Sequence, residues 1–240
     1  MSTARRAANW LVRRVRQDPG YTIHPDLDGR DVAAEVTRRG VSAVRAVWSL
    51  RGVRGGRLRF CENGVQVRHR RHLSIGSGSV VEAYTRLHCL SERGFRIGRR
   101  VTIGKFAILE AGGVLWNRGV GLRIGDGSSV GDYCFVGASG GVWIGDRVLM
   151  GQRVSIHSQN HAFDDLDRPI QAQGVTQAGV RIEDDCWLGS GSVILDGVTL
   201  GRGCVVSAGS VVTRSFPPGS VVAGVPARLL RTRGGGAADA

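Results

Sequence analysis

The chain has 240 residues and a formal net charge of +13, long enough for one sizeable domain with a small appendage. Every basic residue except Lys105 is arginine, a bias of genomic composition rather than a nucleic-acid task, and so large a surplus favours anionic partners such as a nucleotide diphosphate or a membrane surface. Five cysteines without CxxC spacing exclude a disulfide framework and a zinc knuckle, leaving reduced, packed thiols, and no apolar run reaches the ~20 residues of a membrane span.

Residues 1–56 read as a helical segment. Ala8 to Arg16 is a short helical stretch ending before Asp18-Pro19-Gly20, and its arginines break any secretory signal, so the expected location is cytoplasmic. Asp31 to about Leu50 reads as a longer helix with Val32, Val36, Ala43, Val47 and Leu50 on one face, capped by Asp28 or Asp31. Two roles are open for these helices. They pack over the chain beyond residue 56 or over a neighbouring subunit, or they lie in a membrane interface with Trp10 and Trp48 at headgroup level and arginines toward anionic lipid.

Residues 57–214 carry an aliphatic residue every six positions: Ile97 and Ile103; Ile124, Val130 and Val136; Ile144, Met150 and Ile156; then Ile182, Leu188, Ile194, Leu200, Val206 and Val212. Glycine often follows at once, as in Gly98, Gly104, Gly125, Gly131, Gly145, Gly151, Gly189 and Gly201. One inward aliphatic, a glycine that lets the chain turn and a short flat stretch make one face of a triangular β-solenoid, so three hexads form a coil. Coils begin near Leu58 or Leu73. Insertions around Leu90–Gly94 and Gly112–Gly121 interrupt the early ones, and a longer loop, 161–179, is rich in Asp, Gln and Gly. A long loop in so regular a scaffold predicts function.

The segment 215–240 leaves the solenoid through Phe216-Pro217-Pro218-Gly219. Pro226 suits the first turn of a short closing helix, and the Gly- and Ala-rich end reads as disordered.

These hexads, over roughly 57–233, resemble the hexapeptide-repeat acyltransferase family, closest to sugar and exopolysaccharide O-acetyltransferases of the galactoside and maltose type. The resemblance implies an all-β, left-handed parallel β-helix, a handedness opposite to the usual right-handed crossover, with the N-terminal helical segment and short C-terminal helix appended. It also implies a homotrimer whose coenzyme grooves lie between adjacent β-helices. Acetyl-coenzyme A would be the cosubstrate and a hydroxyl of a sugar or glycosylated compound the acceptor, with direct transfer and no covalent enzyme intermediate.

In that family a histidine just before the long loop is the general base, and Asn160-His161 with Trp187 matches this pattern. Imidazole titrates near working pH and suits deprotonation of an attacking hydroxyl. By the same match Trp187 flanks the pantetheine arm, Ser190 and Ala208 give close backbone contacts, and Thr213, Arg214, Arg228 and Arg231 meet the nucleotide. Fixed arginine forks suit phosphate. Ser139 stands where the family places an acceptor-binding Asn, which leaves room for a different acceptor. Asp164, Asp165 and Asp167 orient His161 or solvate the loop. His157, His161 and His88 invite comparison with the zinc sites of gamma-class carbonic anhydrases, but the paired spacing there is wider by one, and no metal is expected. The alternatives are N-acetylation of an amino sugar and a solenoid that serves only as a binding or assembly module.

Overall fold

The computed structural model describes residues 9, 13, 22–24, 26–56, 58–112 and 118–234. Trp10, most of the short helix expected over 8–16 and the tail beyond Gly234 lie outside the described residues.

The hexads form a solenoid of three sheets. Sheet 1 has seven parallel strands, from Arg54–Gly55 to Thr199–Leu200. Sheet 3 also has seven, from Gln66–Arg68 to Val211–Val212. Sheet 2 has nine, beginning at Phe60–Cys61 and ending in a hairpin of Ser220–Gly224 and Ala227–Thr232. Each coil stacks directly on the last, so identical hexad positions pair: Ile97, Ile124, Ile144, Ile182 and Leu200 form one inward column, and Leu109, Val136, Ile156, Ile194 and Val212 another. These columns are almost completely shielded from water and make one continuous core. Ile144→Ala leaves a cavity between Ile124 and Ile182 that neighbouring coils cannot fill, so it should cost about 2–5 kcal/mol. Urea unfolding of the variant measures this.

The small residue between successive aliphatics also faces inward and ties one coil to the next. Ser79 Oγ donates to Gly98 O at 2.8 Å, Thr85 Oγ1 to Gly104 O at 2.9 Å, Ser128 Oγ to Gly145 O at 2.8 Å and Cys134 Sγ to Gly151 O at 3.1 Å. All five cysteines are free and buried. Burial pushes the Cys89 thiol up to about 12 and Cys134 to about 11, which keeps both protonated and unreactive.

The glycine after each aliphatic has a different role from the one its position suggested. It does not supply the turn. A Cβ on Gly131 would lie 2.5 Å from Gly151 O, so this residue is glycine because consecutive coils touch there. The left-handed turn residue comes two places later and is often not glycine: Arg100, Phe106, Tyr133, Arg147 and Arg153 all have φ between 54° and 59°. Three such residues, Tyr84, Phe106 and Tyr133, stack with centroids 5.1 Å apart. Ring contact between coils offsets the cost of the unusual backbone.

A helix, α1, spans Gly29–Ser49, with Asp28 as its N-cap. It lies over the first coil, but not on the face expected. Ser42, Ala46 and Leu50 are buried, whereas Val36, Val44, Val47 and Trp48 point to solvent. Small residues win because the helix axis sits close to the first strand of sheet 2, where Arg39 covers the Phe60 ring at 5.9 Å and Arg38 pairs with Glu62.

The closing helix expected after Pro226 is a β-hairpin instead. The chain turns through a cis Val225–Pro226 bond and residues 227–232 pair antiparallel with 220–224. The last strand of a parallel sheet exposes unpaired N–H and C=O groups, and a segment that pairs with them competes well with a short isolated helix. No helix among the described residues is long and apolar enough to cross a membrane.

Candidate active site

The triangular cross-section has three corners, and most of the residues singled out from sequence fall on two of them, while Trp187, Arg228 and Arg231 stand on sheet 2. At the corner joining sheet 3 back to sheet 1, the strand Ser155–His157 runs out into the loop 161–179, which returns to sheet 1 at Val180–Ile182. The loop is a small antiparallel hairpin, with Asn160 paired to Thr176 and His161 to Val175. Its tip is clasped by Gln173, whose Oε1 accepts from Asp165 N at 3.0 Å and whose Nε2 donates to Asp165 O and Arg168 O at 2.7 and 2.8 Å. At its root Asp196 accepts from Ala178 N and Gly179 N at 3.1 and 2.7 Å. His161 is thus an exposed imidazole on a hydrogen-bonded arm.

Asp165 spends a carboxylate oxygen on Asp167 N at 3.0 Å, and among the described residues no aspartate of the loop bonds His161. Ser139 sits at the same corner, one coil lower. Its neighbour Gly140 donates its N–H to Ser158 Oγ at 3.0 Å, and a Cβ there would lie 3.1 Å from Gln177 Cα in the returning arm of the loop. Thr213 and Arg214 occupy this corner two coils higher, both exposed, with Arg214 at 5.3 Å from the Phe216 ring centroid.

The other predicted donor residues lie elsewhere. Trp187 projects from the outer face of sheet 2, half exposed, between Leu149 and Val205. Ser190 and Ala208 follow at the corner between sheets 2 and 3, where Gly209 N donates to Ser190 O at 2.9 Å and Ser190 Oγ to Gln152 Oε1 at 3.0 Å. Arg228 and Arg231 stand on the closing hairpin of sheet 2, paired with Ala223 and Val221. Within one chain, therefore, Ser139, Asn160, His161, Thr213 and Arg214 share one corner, while the width of sheet 3 separates them from Ser190 and Ala208.

His157 was set aside in the sequence as half of a metal pair, and the structure shows a better-built environment. The alternation Ser155-Ile156-His157 puts serine and histidine on the same outer face, a signal readable from period two. Ser155 Oγ lies 2.6 Å from His157 Nε2, and the ring packs at 5.3 Å against Phe135. Burial pulls its pKa below the ordinary imidazole value and favours the neutral ring. His88 lies three strands below, ~14 Å away at the usual interstrand spacing, and stacks on His69 at 5.2 Å. These histidines do not converge on one point.

With this geometry in place, comparison with known proteins places the repeat. Residues 179–214 match the family model described as the hexapeptide repeat of succinyl-transferase. These residues carry the hexapeptide repeat, and the resemblance of the chain to hexapeptide-repeat acyltransferases is borne out. It is 33% identical over 176 residues, 73% of this chain, to a Mycobacterium tuberculosis protein named a probable acetyltransferase, of which the match covers 55%. It is 37% identical over 91 residues to the galactoside O-acetyltransferase of Escherichia coli, covering 38% of this chain and 43% of that enzyme. The chain thus spans about half the length of the curated relatives it matches. Among solved structures, a variant of AntD, an N-acyltransferase from Bacillus cereus in complex with dTDP and coenzyme A, shares the fold with a TM-score of 0.51. Its identity is 18%, over 75% of this chain and 83% of that one.

Proposed function

We propose that this chain is a cytoplasmic, acetyl-coenzyme A-dependent O-acetyltransferase acting on a hydroxyl of a sugar or glycosylated acceptor. The observation that carries the reading is the place of His161: an accessible imidazole on a clasped arm, at the corner shared with Ser139, in a chain similar to named acetyltransferases. His161 accepts the proton of the acceptor hydroxyl as its oxygen attacks the thioester carbonyl carbon. The C–S bond then breaks, and the imidazolium returns the proton to the departing coenzyme thiolate. No group on the enzyme is acylated.

The coils are taken as left-handed, and the placement of the donor residues supports a trimer. Ser190 and Ala208 sit across sheet 3 from His161, and a second copy placing its corner of sheets 2 and 3 against the first chain's loop would complete the site. The apolar outer row Leu149, Trp187, Val205 and the half-buried Ile108, Phe135, Val193 and Val211 suit such contacts on sheets 2 and 3. Outward Val44, Val47 and Trp48 on α1 support peripheral contact with a membrane.

The test is thiol release from acetyl-coenzyme A across a panel of hydroxylated and amino sugars, nucleotide sugars and glycosides. A hydroxylamine-labile ester product supports the proposal. A hydroxylamine-stable amide assigns N-acetylation, and no turnover with any acceptor favours a binding module. Arg228→Ala or Arg231→Ala should each raise the apparent KM for acetyl-coenzyme A about tenfold, the size of a lost charge-assisted hydrogen bond. Acceptor KM should hardly move.

Deleting residues 1–50 should strip the cover from Phe60 and Cys61, which α1 and its flanks bury. Aggregation of the truncated chain in size-exclusion chromatography is expected.

A further inference from the structure

The three faces of the solenoid differ sharply in what they show to water. Sheet 2 carries a mainly apolar outer row and sheet 3 mixes Ile108, Phe135, Val193 and Val211 with Gln66, Arg86, Ser155 and His157, while sheet 1 carries Arg54, Ser74, Arg96, Arg123, Trp143, Arg181 and Thr199 in one paired line along the solenoid axis. Arg96 and Arg123 are direct neighbours, held ~4.8 Å apart by the strand spacing. Among the described residues neither has an acidic partner. Two uncompensated guanidinium groups on paired positions of adjacent strands repel each other, and a bridging anion relieves the repulsion.

Beside this line runs a bare ledge. The residue leading into sheet 1 is glycine in five successive coils, Gly94, Gly121, Gly141, Gly179 and Gly197, all with φ between 71° and 133°. A side chain is shut out at Gly121 because a Cβ would lie 2.6 Å from Gly94 O, and at Gly179 because it would lie 2.9 Å from Gly140 O. The result is a groove of about 400 Å³ along the axis, walled by Arg93, Arg96, Arg123, Trp143 and Arg181. No acidic side chain lines it among the described residues. The carboxylate at its edge, Asp196, is turned onto the N–H groups of Ala178 and Gly179.

We propose that this groove is a binding track for an acidic polysaccharide, a linear chain bearing carboxylates that lies on the glycine ledge and pairs its charges with Arg96 and Arg123, since Arg181 is already paired with Glu183 at 3.5 Å. The strand repeat of ~4.8 Å is about the length of one sugar residue in an extended glycan, so successive carboxylates meet successive coils. A single-stranded nucleic acid fits less well, since it needs open aromatic faces for its bases. The one aromatic in the line, Trp143, has Arg181 stacked on it at 3.7 Å. A lipid surface also fits less well, because a bilayer is flat, and the arginines here border a groove with no exposed aliphatic side chain to insert. The loop bearing His161 re-enters the solenoid at Ala178 and Gly179, which line the groove, so a bound chain would pass beside that loop. The inference goes beyond acetyl transfer: binding requires neither His161 nor a donor.

The experiment is fluorescence anisotropy of the full chain with a labelled decamer of galacturonic acid at low salt. Micromolar binding that weakens as salt rises is expected, with no binding of a neutral glucan decamer. The double variant Arg96→Gln/Arg123→Gln should weaken binding at least about tenfold, because two charge-assisted contacts are lost. The control Arg30→Gln/Arg51→Gln removes equal charge from the exposed N-terminal region and should leave affinity within about twofold, as diffuse attraction alone is screened. Equal loss in both double variants, or equal binding of the neutral glucan, overturns the proposal. So does a thymidine oligonucleotide that binds more tightly through the same arginines, or displacement of the decamer by phosphatidylserine vesicles. Should the Arg96/Arg123 variant fail to fold, arginine footprinting of the unmodified chain with phenylglyoxal decides the matter. Protection of Arg96 and Arg123 by the decamer, with Arg30 and Arg51 still reactive, supports the track, and uniform reactivity refutes it.

Discussion

His161→Ala is expected to lower turnover by roughly two to four orders of magnitude while leaving the affinity for acetyl-coenzyme A nearly unchanged. As the proposed base, the imidazole would act on the acceptor hydroxyl as negative charge develops on its oxygen, so its loss would be felt in the transition state rather than in donor binding. The histidine stands exposed on a hairpin held by backbone pairing and by Gln173 and Asp196, so truncating it removes no buried contact and the fold should survive. His157→Ala is the informative companion. It removes a half-buried ring that touches Ser155 and Phe135, so it should cost some stability but less than about tenfold in turnover, since its role here is packing and local hydrogen bonding. Steady-state kinetics on both variants, with thermal unfolding as a check, separates the two histidines. A larger kinetic loss at His157 than at His161 would transfer the base to the neutral, partly buried ring.

Much of the fold was legible because its period is local. A hexad states its inward residue, its contact with the next coil and its corner within six positions, so Ile97 to Val212 could be placed without knowing any distant contact. What depended on tertiary context was less legible. The glycines after the aliphatics looked like turn residues, but what makes Gly131 glycine is the carbonyl of Gly151 twenty positions on, a contact absent from any local pattern. The valines of α1 suggested a packed face, yet the proximity of the helix to Phe60 selects Ser42 and Ala46. Residues 227–232 carried no strand signal strong enough to outweigh Pro226; the open edge of sheet 2 decides their conformation. For the site, the sequence named residues but not corners. That His161 and Ser190 fall on opposite edges of sheet 3 emerges only from counting strands around the coil.

That separation sets the second large effect. If the site closes only between chains, two variants that are each nearly inactive should restore one another when combined. His161→Ala removes the base but keeps the corner of Ser190 and Ala208. Ala208→Trp keeps the base and fills the exposed corner where coenzyme would lie, and it should be as inactive as His161→Ala because donor binding is blocked by a ring in place of a methyl group. In a trimer assembled at random from equal amounts of both chains, a site is intact when the loop comes from an Ala208→Trp chain and the donor corner from a His161→Ala chain. Half of the loops and half of the corners qualify, so co-expressed chains should regain about a quarter of the unmodified activity, as expected for a heterologous interface in a closed ring. Mixing the purified homotrimers without subunit exchange should regain nothing, which guards against leakage from either variant. Activity that stays at the level of the separate variants in a verified mixed trimer would place base and donor in the same chain. His161 would then have to serve a donor bound at its own corner near Thr213 and Arg214.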